Sequence, residues 1–224
     1  LTDLVNKDAS GEISNSYGSF NSRKHTVKFS TGLLATDPER SRGIEIAGRL
    51  SNIASDGYID RASTDLKSYF LQGSYVDDNT LIKAIAFGGS EVTYQSWFGI
   101  DSTQLANDRR FNPAGMYEDE NGDTQFYDNE VDDYKQDHYQ MHWNQKYDKN
   151  WSTNVGVNYT YGRGFFEQYR EDDDFETYGF TPLVVNDQPV VTTDLVRRRW
   201  LDNDYYVLNL NANYKNNEID LIVG

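Results

Sequence analysis

A chain of 224 residues is long enough for one large β domain or two small ones. Its net charge of −15 argues against a nucleic-acid partner, whose phosphates need a basic surface, and the absence of cysteine excludes disulfides and thiolate metal sites. Mean hydropathy is −0.78 and no run approaches the ~18–20 apolar residues of a transmembrane helix, which excludes a helical membrane protein but not a β-barrel, where only alternate residues need be apolar.

About nine strands are expected from period-two alternation, in which successive side chains point to opposite faces. Ile13–Phe20 is the first and weakest. His25–Leu34 sets Val27, Phe29, Thr31 and Leu33 against Thr26, Lys28, Ser30 and Gly32, and Asp37-Pro38 is expected to break it, since proline cannot join a ladder. Ile44–Ile53 and Leu66–Val76 follow, then Thr80–Tyr94, both of whose faces are partly apolar so that its orientation stays open. Tyr134–Tyr147 places Tyr139, Met141, Trp143, Gln145 and Tyr147 together. In Trp151–Tyr161 the apolar row Trp151, Thr153, Val155, Val157, Tyr159, Tyr161 begins and ends in amphipathic rings. Asn203–Tyr214 repeats that pattern with Tyr206, Leu208, Leu210, Ala212 and Tyr214, and Glu218–Val223 is the last.

The connections alternate. Asp77–Asn79, Asp148–Asn150 and Lys215–Asn217 are short hairpin turns, whereas 54–65, 95–133 and 164–202 are long. All short turns therefore fall at one end of the sheet and all long loops at the other, the asymmetry of an outer-membrane barrel. Tyr75, Tyr147, Trp151 and Tyr214 lie beside the short turns, and Tyr69, Tyr139, Tyr159, Tyr161 and Tyr206 at the far end of the same faces. From Tyr206 to Tyr214 is ~26 Å along a strand, or ~20 Å of height at a ~40° tilt, near the ~25 Å apolar band of a barrel wall with its two aromatic girdles. A soluble β-sheet domain that binds carbohydrate or protein is the alternative from another class.

Several stretches resemble the first barrel strands of TonB-dependent outer-membrane receptors, most closely Bacteroidetes-type members of the siderophore and cobalamin group. They are Ser16-Tyr-Gly-Ser-Phe-Asn-Ser-Arg-Lys24, Ser30-Thr-Gly-Leu-Leu34, Ser55-Asp-Gly-Tyr-Ile-Asp-Arg-Ala-Ser63, Phe87-Gly-Gly-Ser-Glu-Val-Thr-Tyr-Gln-Ser-Trp97, Asn112-Pro-Ala-Gly115, Phe126-Tyr-Asp-Asn-Glu130 and Asp137-His-Tyr-Gln140. The resemblance spans nearly the whole chain. It implies an all-β antiparallel meander forming the early part, residues 1–224, of a transmembrane barrel of about 22 strands with long extracellular loops. It further implies TonB-dependent import of a ferric siderophore, haem or cobalamin across the bacterial outer membrane, with outer-membrane lipid, lipopolysaccharide and the small chelate as partners. TonB itself would be met through a plug that nothing in this sequence matches, and the later strands are also expected elsewhere in a longer protein. A glycan or peptide importer of the same barrel family is the other ligand class.

The candidate ligand-binding residues lie in the long loops: Trp97, Phe98 and Tyr117 as aromatic contacts at the barrel mouth, and the basic clusters Arg109-Arg110 and Arg197-Arg198-Arg199. Arginine forks suit carboxylates and phosphates, so these clusters either meet an anionic chelate or lipid headgroup, or pair with the many nearby acids. His138 and His142 are ~13 Å apart along a strand and cannot chelate one ion, and they share the polar face with Gln140 and Asn144. The acidic loop around Asp119-Glu-Asn-Gly-Asp123 faintly resembles a calcium loop but lacks its bidentate Glu, and reads better as a solvated loop with an Asn121-Gly122 hairpin turn. No nucleophile elbow, zinc-protease helix or phosphate-cradling loop is present, so neither an enzyme nor a cofactor protein is expected.

Overall fold

The computed structural model describes residues 5–37 and 42–224. In chain order the strands are β1 Ser10–Tyr17, β2 Arg23–Ser30, β3 Leu34–Asp37, β4 Arg42–Ser55, β5 Thr64–Val76, β6 Thr80–Tyr94, β7 Met116–Glu118, β8 Thr124–Phe126, β9 Val131–Lys146, β10 Trp151–Asp174, β11 Leu183–Val185, β12 Gln188–Val190, β13 Thr192–Lys215 and β14 Asp220–Val223. A short helix α1, Ser102–Asn107, is capped by the Asp101 carboxylate, which accepts from the Thr103 and Gln104 amides. Nine strands make one antiparallel meander in the order β1-β2-β4-β5-β6-β9-β10-β13-β14, with β3 paired to β4. The sheet is open: β1 and β14 are its edges. β7–β8 and β11–β12 are small hairpins inside the two longest connections.

The strand expected over His25–Leu34 is split. After Ser30 the chain kinks at Gly32, whose φ is +63° and whose missing Cβ makes room for the backbone of Lys7, Asp8 and Ala9, and β3 resumes pairing with β4. The break expected at Pro38 lies outside the described residues. The 5–9 segment lies on the sheet there: Asn6 donates through Nδ2 to Glu45 Oε1 at 2.6 Å, and Ser30 Oγ donates to the same oxygen at 3.0 Å, over a Glu45 that has no solvent exposure.

Register carries the apolar alternation across the whole meander. One hydrogen-bonded row runs Phe29, Gly48, Leu71, Ala86, Tyr139, Tyr159, Tyr206. Two residues nearer the short turns runs Ile46, Gly73, Ala84, Met141, Val157, Leu208, and then Ile44, Tyr75, Ile82, Trp143, Val155, Leu210. The orientation of β6 follows: Ile82, Ala84, Ala86 and Gly88 belong to this face, Leu81, Lys83, Ile85 and Phe87 to the other. Opposite stands a mainly polar row, Ser30, Ala47, Gln72, Ile85, Gln140, Asn158, Val207.

Aromatic residues border the apolar face on a diagonal. Tyr206, Tyr159 and Tyr139 share a row, Tyr69 stands in the next with Tyr161, and Tyr17 falls in the row of Trp200. At the other end Trp151 pairs with Tyr214, while Tyr75 lies in the row of Val155. Both borders climb the ladder toward β1. In strands spaced ~4.8 Å and tilted ~40° a level line crosses the ladder in this way, shifting ~4 Å per strand. The apolar side chains themselves are exposed, Leu208 at 70% and Leu210 at 60%, and the buried hydrophobics among the described residues, Tyr94, Ala114, Val131 and Phe175, all lie toward the loop end.

Successive connections alternate between the two ends, although the end with the long ones also holds the short turn 18–22. Asp77–Asn79, 147–150 and 216–219 close one end, while 18–22, 56–63, 95–130 and 175–191 lie at the other. The expected long loop 164–202 needs correction. β10 continues to Asp174 and β13 begins at Thr192, so most of that stretch is a two-stranded arm rising past the aromatic border, paired from Tyr161↔Asp204 to Asp174↔Thr192.

Candidate functional site

The loop 95–130 is anchored to the strands by a buried polar clamp centred on Glu167. That residue is on β10, 1% exposed, and in the register set of Tyr159 and Tyr161 beyond the aromatic border. Its Oε1 accepts from Tyr127 Oη at 2.6 Å and Asn129 Nδ2 at 2.5 Å, and its Oε2 from Arg198 Nε at 2.5 Å across the β10–β13 pair. Burial alone would raise the Glu167 pKa, but hydrogen bonds from Tyr127, Asn129 and Arg198 outweigh it and hold the carboxyl below its ordinary value. Burial beside that carboxylate pushes the Tyr127 phenol up to about 12. Glu130, also buried, is raised by desolvation, although its Oε2 accepts from the Tyr169 amide at 3.1 Å. Gln95 Nε2 donates to the Glu167 carbonyl, Asn112 Nδ2 to the carbonyls of Gln95 and Asp60, and the Arg61 guanidinium to the Asn112 carbonyl while lying over the Phe126 ring. Tyr94, Ala114 and Val131 form the apolar floor. Of this clamp only Arg198 had a candidate role in the sequence, as part of a basic cluster, because scattered polar residues that meet from two connections and the β10–β13 pair leave no spacing to read.

The expected site residues separate into three environments. Trp97 and Phe98 stack on each other at 4.4 Å, Phe98 packing on the Tyr94 floor while Trp97 stays 71% exposed. Tyr117, at the start of the β7–β8 hairpin, packs on Tyr169 at 4.6 Å. Arg110 is tied to the neighbouring connection by an ion pair with Asp60 at 2.9 Å, and Arg109 beside it is exposed.

The three consecutive arginines are on strand β13 rather than in a loop, and the strand divides them. Arg198 is consumed by Glu167 and the Phe165 ring. Arg197 and Arg199 point to the opposite set, the polar face, where Arg197 donates to Gln168 Oε1 at 2.8 Å and to Tyr178 Oη, and exposed Arg199 lies over Phe166. Only these two form a basic pair, ~7 Å apart along the strand on one face.

The other candidates resolve into structure. His138 bonds Thr160 through Nδ1 and Gln136 through Nε2 and stacks on Phe87, while His142 meets Gln140. Asp119 serves the β7–β8 turn, accepting from the amides of Asn121 and Asp123, with Gly122 at φ +80°. Among the described residues no three His, Asp or Glu groups gather to hold a metal ion. No protein-family model matches the chain, and no curated protein matches it.

Proposed function

We propose that the chain is a wall segment of a TonB-dependent outer-membrane receptor that imports a scarce anionic chelate, a ferric siderophore in the first instance. The observation that carries this reading is the unbroken apolar face from β2 to β13, bordered by aromatic rings on lines that cross the ladder as tilted membrane strands require. Short turns then face the periplasm and elaborated connections the outside. The polar face becomes the lumen, and Arg197 and Arg199, which stand on it above the membrane, become the cationic contact for the ligand.

Binding by the whole receptor tests the proposal, with ferric chelates, haem, cobalamin and oligosaccharides compared in one titration. Ferric chelate is expected to bind, and R197A/R199A to weaken it ~10-fold or more, the loss of charge-assisted hydrogen bonds of ~1.5–3 kcal/mol. Binding of oligosaccharides alone would overturn the ligand class.

A further inference from the structure

We propose that the outward face holds a specific site for an anionic membrane lipid, its phosphate received between Lys67 and Lys135. The site rests on the reading of that face as membrane wall and adds to it a ligand and a place. In the first register row beyond Tyr69, Lys67 on β5, Ser90 on β6 and Lys135 on β9 stand side by side. With strands ~4.8 Å apart, the two lysines flank Ser90 at ~10 Å between their Cα atoms, a separation that two long ammonium side chains span around one phosphate. A single depression of about 490 Å³ joins these three residues to the apolar wall below them, Val27, Leu50 and Tyr69. Charged rim and apolar floor thus belong to one concavity, as an amphiphile with an anionic head and an acyl chain requires.

Both lysines have nearby carboxylates, and these are held from elsewhere. Lys67 Nζ is 3.1 Å from Asp65 Oδ2, while the other Asp65 oxygen accepts from Asn52 Nδ2 at 2.9 Å. Lys135 Nζ is 3.0 Å from Asp137 Oδ2, while Asp137 Oδ1 accepts from Tyr69 Oη at 2.8 Å and the residue is nearly buried. The carboxylates therefore hold the lysine ammonium groups from one side. The lysine side chains remain 65% and 58% exposed, each with donors left for a headgroup. Beneath the rim the β6 positions are Gly88, Ala86 and Ala84, and the Tyr69–Asp137 hydrogen bond passes over Gly88 to form the step between rim and wall.

The test is electron spin resonance of chain-labelled phosphatidylglycerol and chain-labelled phosphatidylcholine in phosphatidylcholine membranes containing the whole protein. The expected result is a motionally restricted component for both lipids, with a preference of about fivefold for the anionic one, the ratio that ~1 kcal/mol in total implies, about half of what two basic residues near an anionic headgroup contribute because each lysine is shared with a carboxylate. K67Q/K135Q should bring the ratio to about one and leave the restricted component in place, and K67R/K135R should keep the preference. A preference unchanged in K67Q/K135Q, or no preference at all, overturns the site alone. Loss of the preference to millimolar inorganic phosphate also overturns it, by marking a free-anion site. Absence of a restricted component for either lipid overturns the membrane-wall reading itself.

Discussion

At the scale of single residues, Glu167 is the most consequential group in the loop region. It is nearly inaccessible to water, and three donors from two loop residues and the neighbouring strand converge on its two oxygens. Removing it strands Tyr127 and Asn129 without their acceptor, so E167A should loosen the 95–130 loop by ~2–3 kcal/mol, within the range for hydrogen bonds to a charged group. Amide hydrogen exchange across residues 112–131 reads this directly. The pH dependence has a definite sign. The folded Glu167 pKa lies below its ordinary 4.5, so its contribution is complete above that value and is lost as the pH falls through the lower folded one. Acid should therefore release the loop in the native protein, and E167Q should remove that transition from the pH profile of Trp97 fluorescence.

At the scale of elements, β10 and β13 show what alternation can and cannot announce. Their halves nearer the short turns were legible because Val155, Val157, Leu208 and Leu210 alternate with Asn and Gly along one face. The arm above was not legible, since charged residues stand in it, Arg163 opposite Asp202 and Glu167 opposite Arg198, and both faces read as polar loop. What keeps those residues in strands is cross-strand pairing: Arg163 bonds Asp202 at 2.6 Å and Asp204 at 2.8 Å, and Phe165 packs on Trp200. For β6 the obstacle was different, because Leu81, Ile85 and Phe87 make one of its faces as apolar as the other, and only pairing with β5 and β9 decides which belongs to the apolar face of the sheet. The clamp was beyond reach for a third reason, its members meeting only after the loops fold. Within β6, Gly88 is held to glycine by its neighbours: a Cβ there would fall on Gln136 O and Asp137. G88V should therefore disrupt the β6–β9 pairing and the Tyr69–Asp137 bond together, measured as a loss of assembled protein in membranes.

At the scale of the whole molecule, the sheet has two faces of opposite character, and among the described residues the buried hydrophobics all lie toward the loop end. Exposed Leu208 and Leu210 are costly in water and favourable against acyl chains, and the proposed membrane wall would remove that cost. V155R and L210R place a charge in the middle of the apolar band and should each cost ~2–4 kcal/mol of membrane stability, whereas N154R and N209R on the polar face should be tolerated. Urea titration of the folded protein in vesicles separates the two pairs.

The most direct measurement is a spin-label scan of β13 in a background without other cysteines, of which these 224 residues hold none. One cysteine at a time replaces each residue from Tyr206 to Tyr214 in the whole protein in membranes, and collisions of the attached label with oxygen and with a water-soluble nickel chelate are compared. Labels at Leu208, Leu210 and Ala212 should meet oxygen and exclude the chelate, and those at Val207, Asn209, Asn211 and Asn213 should show the reverse bias, in strict alternation. Equal access to the chelate at Leu208, Leu210 and their neighbours would contradict the membrane wall.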